Sequence, residues 1–277
     1  MPLQWDGEAW LTPVVVDGHS VPFLLDTGSE RSMLFEATAA RLHIQRDEWA
    51  ATPTAGIGGI VDLPNADPHT LTLGGVPLQR RTLAADNTLT VGVAGAGPAD
   101  GLLGQDFLSV YDVELDFVRD VLRLYSATVC LGAADLPWAG PRAAIRATRV
   151  FRDVLLVPVS VDGRPLWAMI DSGSAISVVT ASGMVKLGLD EAAVASDPTR
   201  AARGIGSGGV TLRQHRFDRF QVGPIVAQNN SLWVGPIRLP GKLDMLLGAD
   251  WLRGRKVWLS FATDTVFISL PSRGASQ

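Results

Sequence analysis

Asp26 and Asp171 are the residues of this chain best placed for chemistry. Each ends an apolar run and is followed by a hydroxyl residue, a glycine and a serine: Phe23-Leu24-Leu25-Asp26-Thr27-Gly28-Ser29 and Ala168-Met169-Ile170-Asp171-Ser172-Gly173-Ser174. A lone carboxylate in an apolar setting is costly. Two of them, 145 residues apart in matching surroundings, point to two half-sites that meet as a catalytic pair. Carboxyl groups in contact cannot both ionise easily, so they share one proton and supply a base and an acid at one place. The competing reading is a pair of turn or capping carboxylates. A cap requires neither the apolar run before it nor the glycine two residues after it.

The elements around each Asp repeat in the same order. Nine residues before each stands Asp-Gly (Asp17-Gly18, Asp162-Gly163), flanked by apolar β-branched runs that read as a hairpin. Gly56-Ile57-Gly58-Gly59 follows Asp26 by thirty residues, and Gly204-Ile205-Gly206-Ser207-Gly208-Gly209 follows Asp171 by thirty-three. The glycines of Leu102-Leu103-Gly104-Gln105-Asp106-Phe107-Leu108 and Leu246-Leu247-Gly248-Ala249-Asp250-Trp251-Leu252 lie 78 and 77 residues after the respective Asp. Both copies end in strand-like runs, 121–125 and 265–270. The chain thus reads as a duplication: a first lobe over 1–130, a linker rich in Ala, Gly and Pro over 131–145, and a second lobe over 146–277. Short strands separated by turn residues predict an all-β fold. One helix per lobe is expected, over 34–42 and 177–187, with a short helix starting at each of Asp106 and Asp250, where a carboxylate suits the helix dipole.

Bulk composition removes several classes of function. The apolar fraction of 47% and charged fraction of 19% are those of a globular protein, and the length of 277 residues allows two cores. A net charge of −4 without a polybasic tract gives no case for nucleic acid. Cys130 is the single cysteine, which excludes an intrachain disulfide and a cysteine zinc site. The four histidines, His19, His43, His69 and His215, show no metal-ligand spacing, so no metal or other cofactor is expected. No run approaches the ~20 apolar residues of a membrane span. Met1 to Gly7 shows no signal-peptide pattern, which gives the expectation of a cytoplasmic protein.

Taken together, the Asp-Thr/Ser-Gly-Ser loops, the Gly-Ile-Gly stretches and the Leu-Leu-Gly-x-Asp-Phe/Trp-Leu segments resemble those of retropepsin-like aspartic peptidases. The resemblance implies two pseudo-symmetric lobes, fused here in one chain, with a substrate cleft between them. The tyrosine that pepsins carry on a single flap has no counterpart, since Tyr111 and Tyr125 lie beyond the first Leu-Leu-Gly segment. By resemblance Asp26 and Asp171 are catalytic and activate a water. Thr27 and Ser172 bond across to the opposite loop, while Gly28 and Gly173 let the backbone pass close to the pair. Gly56, Ile57, Gly58, Gly59, Gly204, Ile205 and Gly206 form two flaps that hold a substrate peptide. A dinucleotide-binding loop at Gly204–Gly209 is the weaker reading, because the stretch before it is polar and Val210-Thr211-Leu212-Arg213 alternates like a strand.

Ser29 and Ser174 invite a sharper expectation. A hydroxyl donated to each carboxylate would favour ionisation and set a pH optimum on the acid side of neutrality. Asp106 and Asp250 are expected to be structural. The partner implied is an extended peptide or protein bound by a monomer, with no nucleic acid and no membrane. An alternative is a silent lobe pair that only binds peptide; a further one needs additional chains to complete the cleft.

Overall fold

Two half-barrels of short strands, joined through a shared sheet, make up the fold. The computed structural model describes residues 1–56, 59–78, 83–86, 99–126, 136–138, 140–151, 153–203, 209–239, 241 and 243–270. In each half the decisive unit is the strand that delivers the Asp. Strand Trp10–Val16 turns at Asp17-Gly18 into His19–Leu25, and Val154–Val161 turns at Asp162-Gly163 into Arg164–Ile170. Both turn residues have positive φ in each copy (46° and 83°; 47° and 77°), the geometry that matches strand twist and selects Asp-Gly.

The apolar run before each Asp is buried because a second strand lies parallel beside it. Gly101–Leu103 pairs with Phe23, Leu24 and Leu25, and Met245–Leu247 pairs with Ala168, Met169 and Ile170. These are the Leu-Leu-Gly segments, and a parallel strand covered on both faces requires such continuous hydrophobicity. The predicted helices form as Glu36–Arg41 and Ala181–Leu187, and the short ones as Gln105–Leu108 and Ala249–Leu252. Thr180 caps the second long helix by accepting from the Gly183 N–H, and left-handed Gly188 ends it.

The first half is a ten-stranded sheet and the second an eight-stranded sheet. A third sheet of five strands draws on both: Val121–Ser126, Tyr111–Asp116, Lys256–Ser260, Thr265–Ser269 and Arg142–Arg146, in that order. Its central seam pairs Val113 with Leu259 and Leu115 with Val257. The stretch read as a linker therefore ends in a strand, Arg142–Arg146, that runs one residue past it and pairs with Thr265–Ser269 at the sheet edge. Trp258, fully buried, and Phe267 pack with Leu136 and Trp138 against this sheet. The largest apolar cluster runs through both halves, from Val14, Phe23 and Leu103 to Val157, Ile170 and Leu247. Among the described residues no helix is long and apolar enough to cross a membrane.

Candidate active site

Asp26 and Asp171 meet where the two halves touch. Each loop leaves its strand with a backbone anchor: Asp26 N–H donates to the Leu103 carbonyl at 3.0 Å, and Asp171 N–H donates to that of Leu247 at 2.9 Å. Beyond the anchor the chain curls over its own carboxylate. Asp26 Oδ1 accepts from the N–H groups of Gly28 (2.8 Å) and Ser29 (3.0 Å), and Asp171 Oδ1 from those of Gly173 (3.1 Å) and Ser174 (3.0 Å).

The glycines are required by proximity. A Cβ on Gly28 would stand 2.6 Å from Asp171 Cγ, and one on Gly173 would stand 2.5 Å from Asp26 Oδ2. Each carboxyl thus lies against the opposite loop's glycine, which brings the two carboxyl groups together.

Thr27 and Ser172 cross-link the loops. Thr27 Oγ1 donates to the Ile170 carbonyl (2.7 Å) and accepts from Ser172 N–H (3.1 Å). Ser172 Oγ donates to the Leu25 carbonyl (2.7 Å) and accepts from Thr27 N–H (3.1 Å). Both side chains are buried, so these four bonds operate without water competing for them.

Burial, countered by the N–H groups of Gly28 and Ser29 and by the hydrogen bond from Asp171, pushes the Asp26 carboxyl up to about 6. Burial and the Asp26 charge push Asp171 well above the usual carboxylate range. One proton is therefore held between them over a wide span of pH.

The serines behave differently from the sequence expectation. Ser29 Oγ donates to the Arg31 carbonyl (2.9 Å) and Ser174 Oγ to that of Ile176 (2.8 Å). Each hydroxyl has a single proton, and it closes a tight local turn rather than reaching the carboxylate. The serine contribution to the Asp charge comes from its backbone N–H.

A second ring of contacts was not legible as function. Asp106 accepts from Ser32 N–H (2.9 Å) and Oγ–H (2.7 Å), and Ser32 Oγ accepts from Gly104 N–H (2.9 Å). The second half repeats this with Asp250, Ser177 and Gly248 at 2.9, 2.6 and 3.0 Å. The available signal was a serine six residues after each Asp, at Ser32 and Ser177. Gln105 carries no such signal in the sequence. Its buried side chain donates to the Thr27 carbonyl, whereas Ala249 stands at the matching place.

Two hairpins occupy the positions read as flaps. Arg46–Gly56 pairs with Gly59–Ala66 down to Gly56 opposite Gly59, and Thr199–Arg203 pairs with the start of Gly209–Val222. Ile57, Gly58, Gly204, Ile205 and Gly206 lie outside the described residues. Trp167 is exposed, and its backbone N–H donates to buried Asp244. No group of His, Cys, Asp and Glu suited to a metal ion occurs among the described residues.

Comparison with known proteins follows the same division of the chain. No curated protein matches it. The family model described as aspartyl protease matches twice, over residues 12–107 and 157–251, and each match contains one Asp loop, one hairpin and one Leu-Leu-Gly segment. The chain belongs to the aspartyl protease family, with two retropepsin-like repeats in a single polypeptide.

Proposed function

We propose that the protein is an aspartic endopeptidase in which Asp26 and Asp171 activate one water molecule against a peptide bond. The observation that carries this reading is the contact of the two carboxyls, each laid against the other loop's glycine at the junction of the repeats. The ionised Asp26 takes a proton from the water as its oxygen attacks the scissile carbonyl carbon. The protonated Asp171 donates to the carbonyl oxygen, giving a tetrahedral diol. Asp26 then gives its proton to the departing nitrogen while Asp171 takes one back from a diol hydroxyl; the C–N bond breaks to leave a carboxylic acid and an amine, and the pair returns to its starting charge. No covalent intermediate forms on the protein. The fixed N–H donors of Gly28, Ser29, Gly173 and Ser174 hold the carboxyls in place at no reorganisation cost.

The substrate is an extended peptide between the two hairpins, held in part by main-chain hydrogen bonds in the manner of an added strand. Because both halves of the site come from one chain, a monomer suffices. Incubation with an unfolded protein or a peptide library tests this, using the wild type, Asp26→Asn and Asp171→Asn with and without a statine-type transition-state analogue. Cleavage that either substitution and the analogue abolish is expected. Cleavage that survives both substitutions sinks the mechanism, and tight peptide binding with no cleavage by the wild type favours a silent binding module.

A further inference from the structure

The two half-sites differ at one buried position whose bond leads straight to the catalytic loop. In the first Leu-Leu-Gly segment the residue after the glycine is Gln105; in the second it is Ala249. Gln105 is 1% exposed, and its Nε2–H donates to the Thr27 carbonyl at 2.7 Å. Its Oε1 is buried with no partner among the described residues. A buried unpaired acceptor is unfavourable, so alanine, as at 249, would be the less costly filling. The donor half of the amide is what the position gains.

That donor acts on a particular peptide unit. The Thr27 carbonyl and the Gly28 N–H belong to the same amide, and the Gly28 N–H donates to Asp26 Oδ1. A chain of hydrogen bonds therefore runs from the Gln105 amide through the Thr27–Gly28 peptide to the Asp26 carboxylate. Accepting a bond at its oxygen polarises a peptide and strengthens its N–H as a donor. The matching peptide in the other loop, Ser172–Gly173, receives no such bond from Ala249. The lengths agree with this difference: Gly28 N to Asp26 Oδ1 is 2.8 Å, and Gly173 N to Asp171 Oδ1 is 3.1 Å.

We infer that Gln105 is a positioning residue that breaks the symmetry of the pair, making Asp26 the ionised base and leaving the shared proton on Asp171. The other groups bearing on Asp26 are the Gly28 and Ser29 N–H donors of its own loop and the Asp171 carboxyl of the opposite one. Those on Asp171 are the Gly173 and Ser174 N–H donors and Asp26.

The inference rests on reading these Asp residues as one catalytic pair, yet its test needs no turnover. Carboxyl-carbon NMR titration of Asp171→Asn isolates Asp26, and titration of Asp26→Asn isolates Asp171. Adding Gln105→Met, which keeps the volume and removes the donor, is expected to raise the Asp26 midpoint by roughly 0.3–0.6 of a pH unit and to leave Asp171 in place. Gln105→Ala, the residue of the sister repeat, provides the same comparison should Met disturb packing. An unmoved Asp26, or equal shifts of both carboxyls, overturns the inference. If the full enzyme cleaves peptide, the acid limb of its kcat/KM profile should rise with the same substitution while the alkaline limb stays. If it cleaves nothing, the NMR result still decides the role of Gln105, and the reading as a peptidase fails separately.

Discussion

At the residue scale the charge of Asp26 bears on stability and, in the proposed mechanism, on rate. Its carboxyl sits at about 6 against an unfolded value near 3.8, so between these values the folded chain binds more protons than the unfolded one. Stability therefore falls as pH rises through this window, the reverse of the behaviour of a salt-bridged carboxylate. Asp171→Asn, which removes a buried carboxyl that the fold holds above its usual range and the unfolded chain ionises, is predicted to raise the unfolding midpoint at pH 7, with the gain fading towards pH 4. Calorimetry at the two pH values checks this, and an equal gain at both would contradict it. The acid limb of kcat/KM should lie near pH 6, since the base must be ionised. Ser29 and Ser174 belong at this scale too. Their presence was plain in the sequence, but a hydroxyl can donate to a carboxylate or to a carbonyl two residues on, and only the loop geometry decides between them. With the proton committed to Arg31 and Ile176, Ser29→Ala combined with Ser174→Ala should lower thermal stability by about 1–2 kcal/mol and leave the acid limb where it is. A displaced limb in the pH–rate profile would refute that assignment.

At the element scale each loop is clamped from behind by the turn that follows its Leu-Leu-Gly strand. Asp106 and Asp250 satisfy the N–H and hydroxyl of Ser32 and Ser177, which in turn receive the Gly104 and Gly248 N–H groups. Asp250→Ala leaves the buried Ser177 donors without their acceptor. It is predicted to cost about 2 kcal/mol in denaturant unfolding and to lower kcat more than it changes KM, because the loop loses its support rather than its substrate contacts. A change confined to KM would argue against that role. Hairpins, helices and the paired Leu-Leu-Gly strands were legible because each carries a local signal: Asp-Gly, a switch of hydrophobic period, a continuous apolar run. The extra strand Arg142–Arg146 carries none, since its Arg-Ala-Ala-Ile-Arg has little β-branched character and continues a run rich in Ala, Gly and Pro. Nor does any local pattern report that Gln105 turns its amide onto Thr27, a contact set by how two buried segments stack.

At the scale of the whole molecule the two repeats are one folding unit rather than two beads. The shared sheet places Tyr111–Asp116 between its own neighbour and Lys256–Ser260. Lys256 secures that seam. Burial alone would raise Asp116, but the Lys256 ammonium at 2.9 Å and the Arg119 N–H outweigh it and hold the carboxyl below its usual range. Asp112 adds bonds from Ser260 Oγ–H (2.8 Å) and Ala262 N–H (3.2 Å). Sequence patterning predicts such strands but not partners some 145 residues away, so this sheet could not be read in advance. A fragment of residues 1–130 exposes the edge of Tyr111–Asp116 and is predicted to unfold or self-associate, as light scattering and circular dichroism would reveal; a folded monomer would contradict the shared-sheet account. Across the site itself, Thr27→Val leaves the Ile170 carbonyl and Ser172 N–H unpaired in a buried place. A loss of about 2–4 kcal/mol is expected, with activity falling even where the chain stays folded.

The central claim is that one chain builds one active site from both of its halves. Mixing equal amounts of Asp26→Asn and Asp171→Asn tests it most directly, under conditions where the wild type cleaves peptide. A site formed within each chain predicts that each variant is inactive and that the mixture stays inactive at every concentration. Activity that appears on mixing, and grows with concentration, would mean that half-sites combine between chains and would contradict the account.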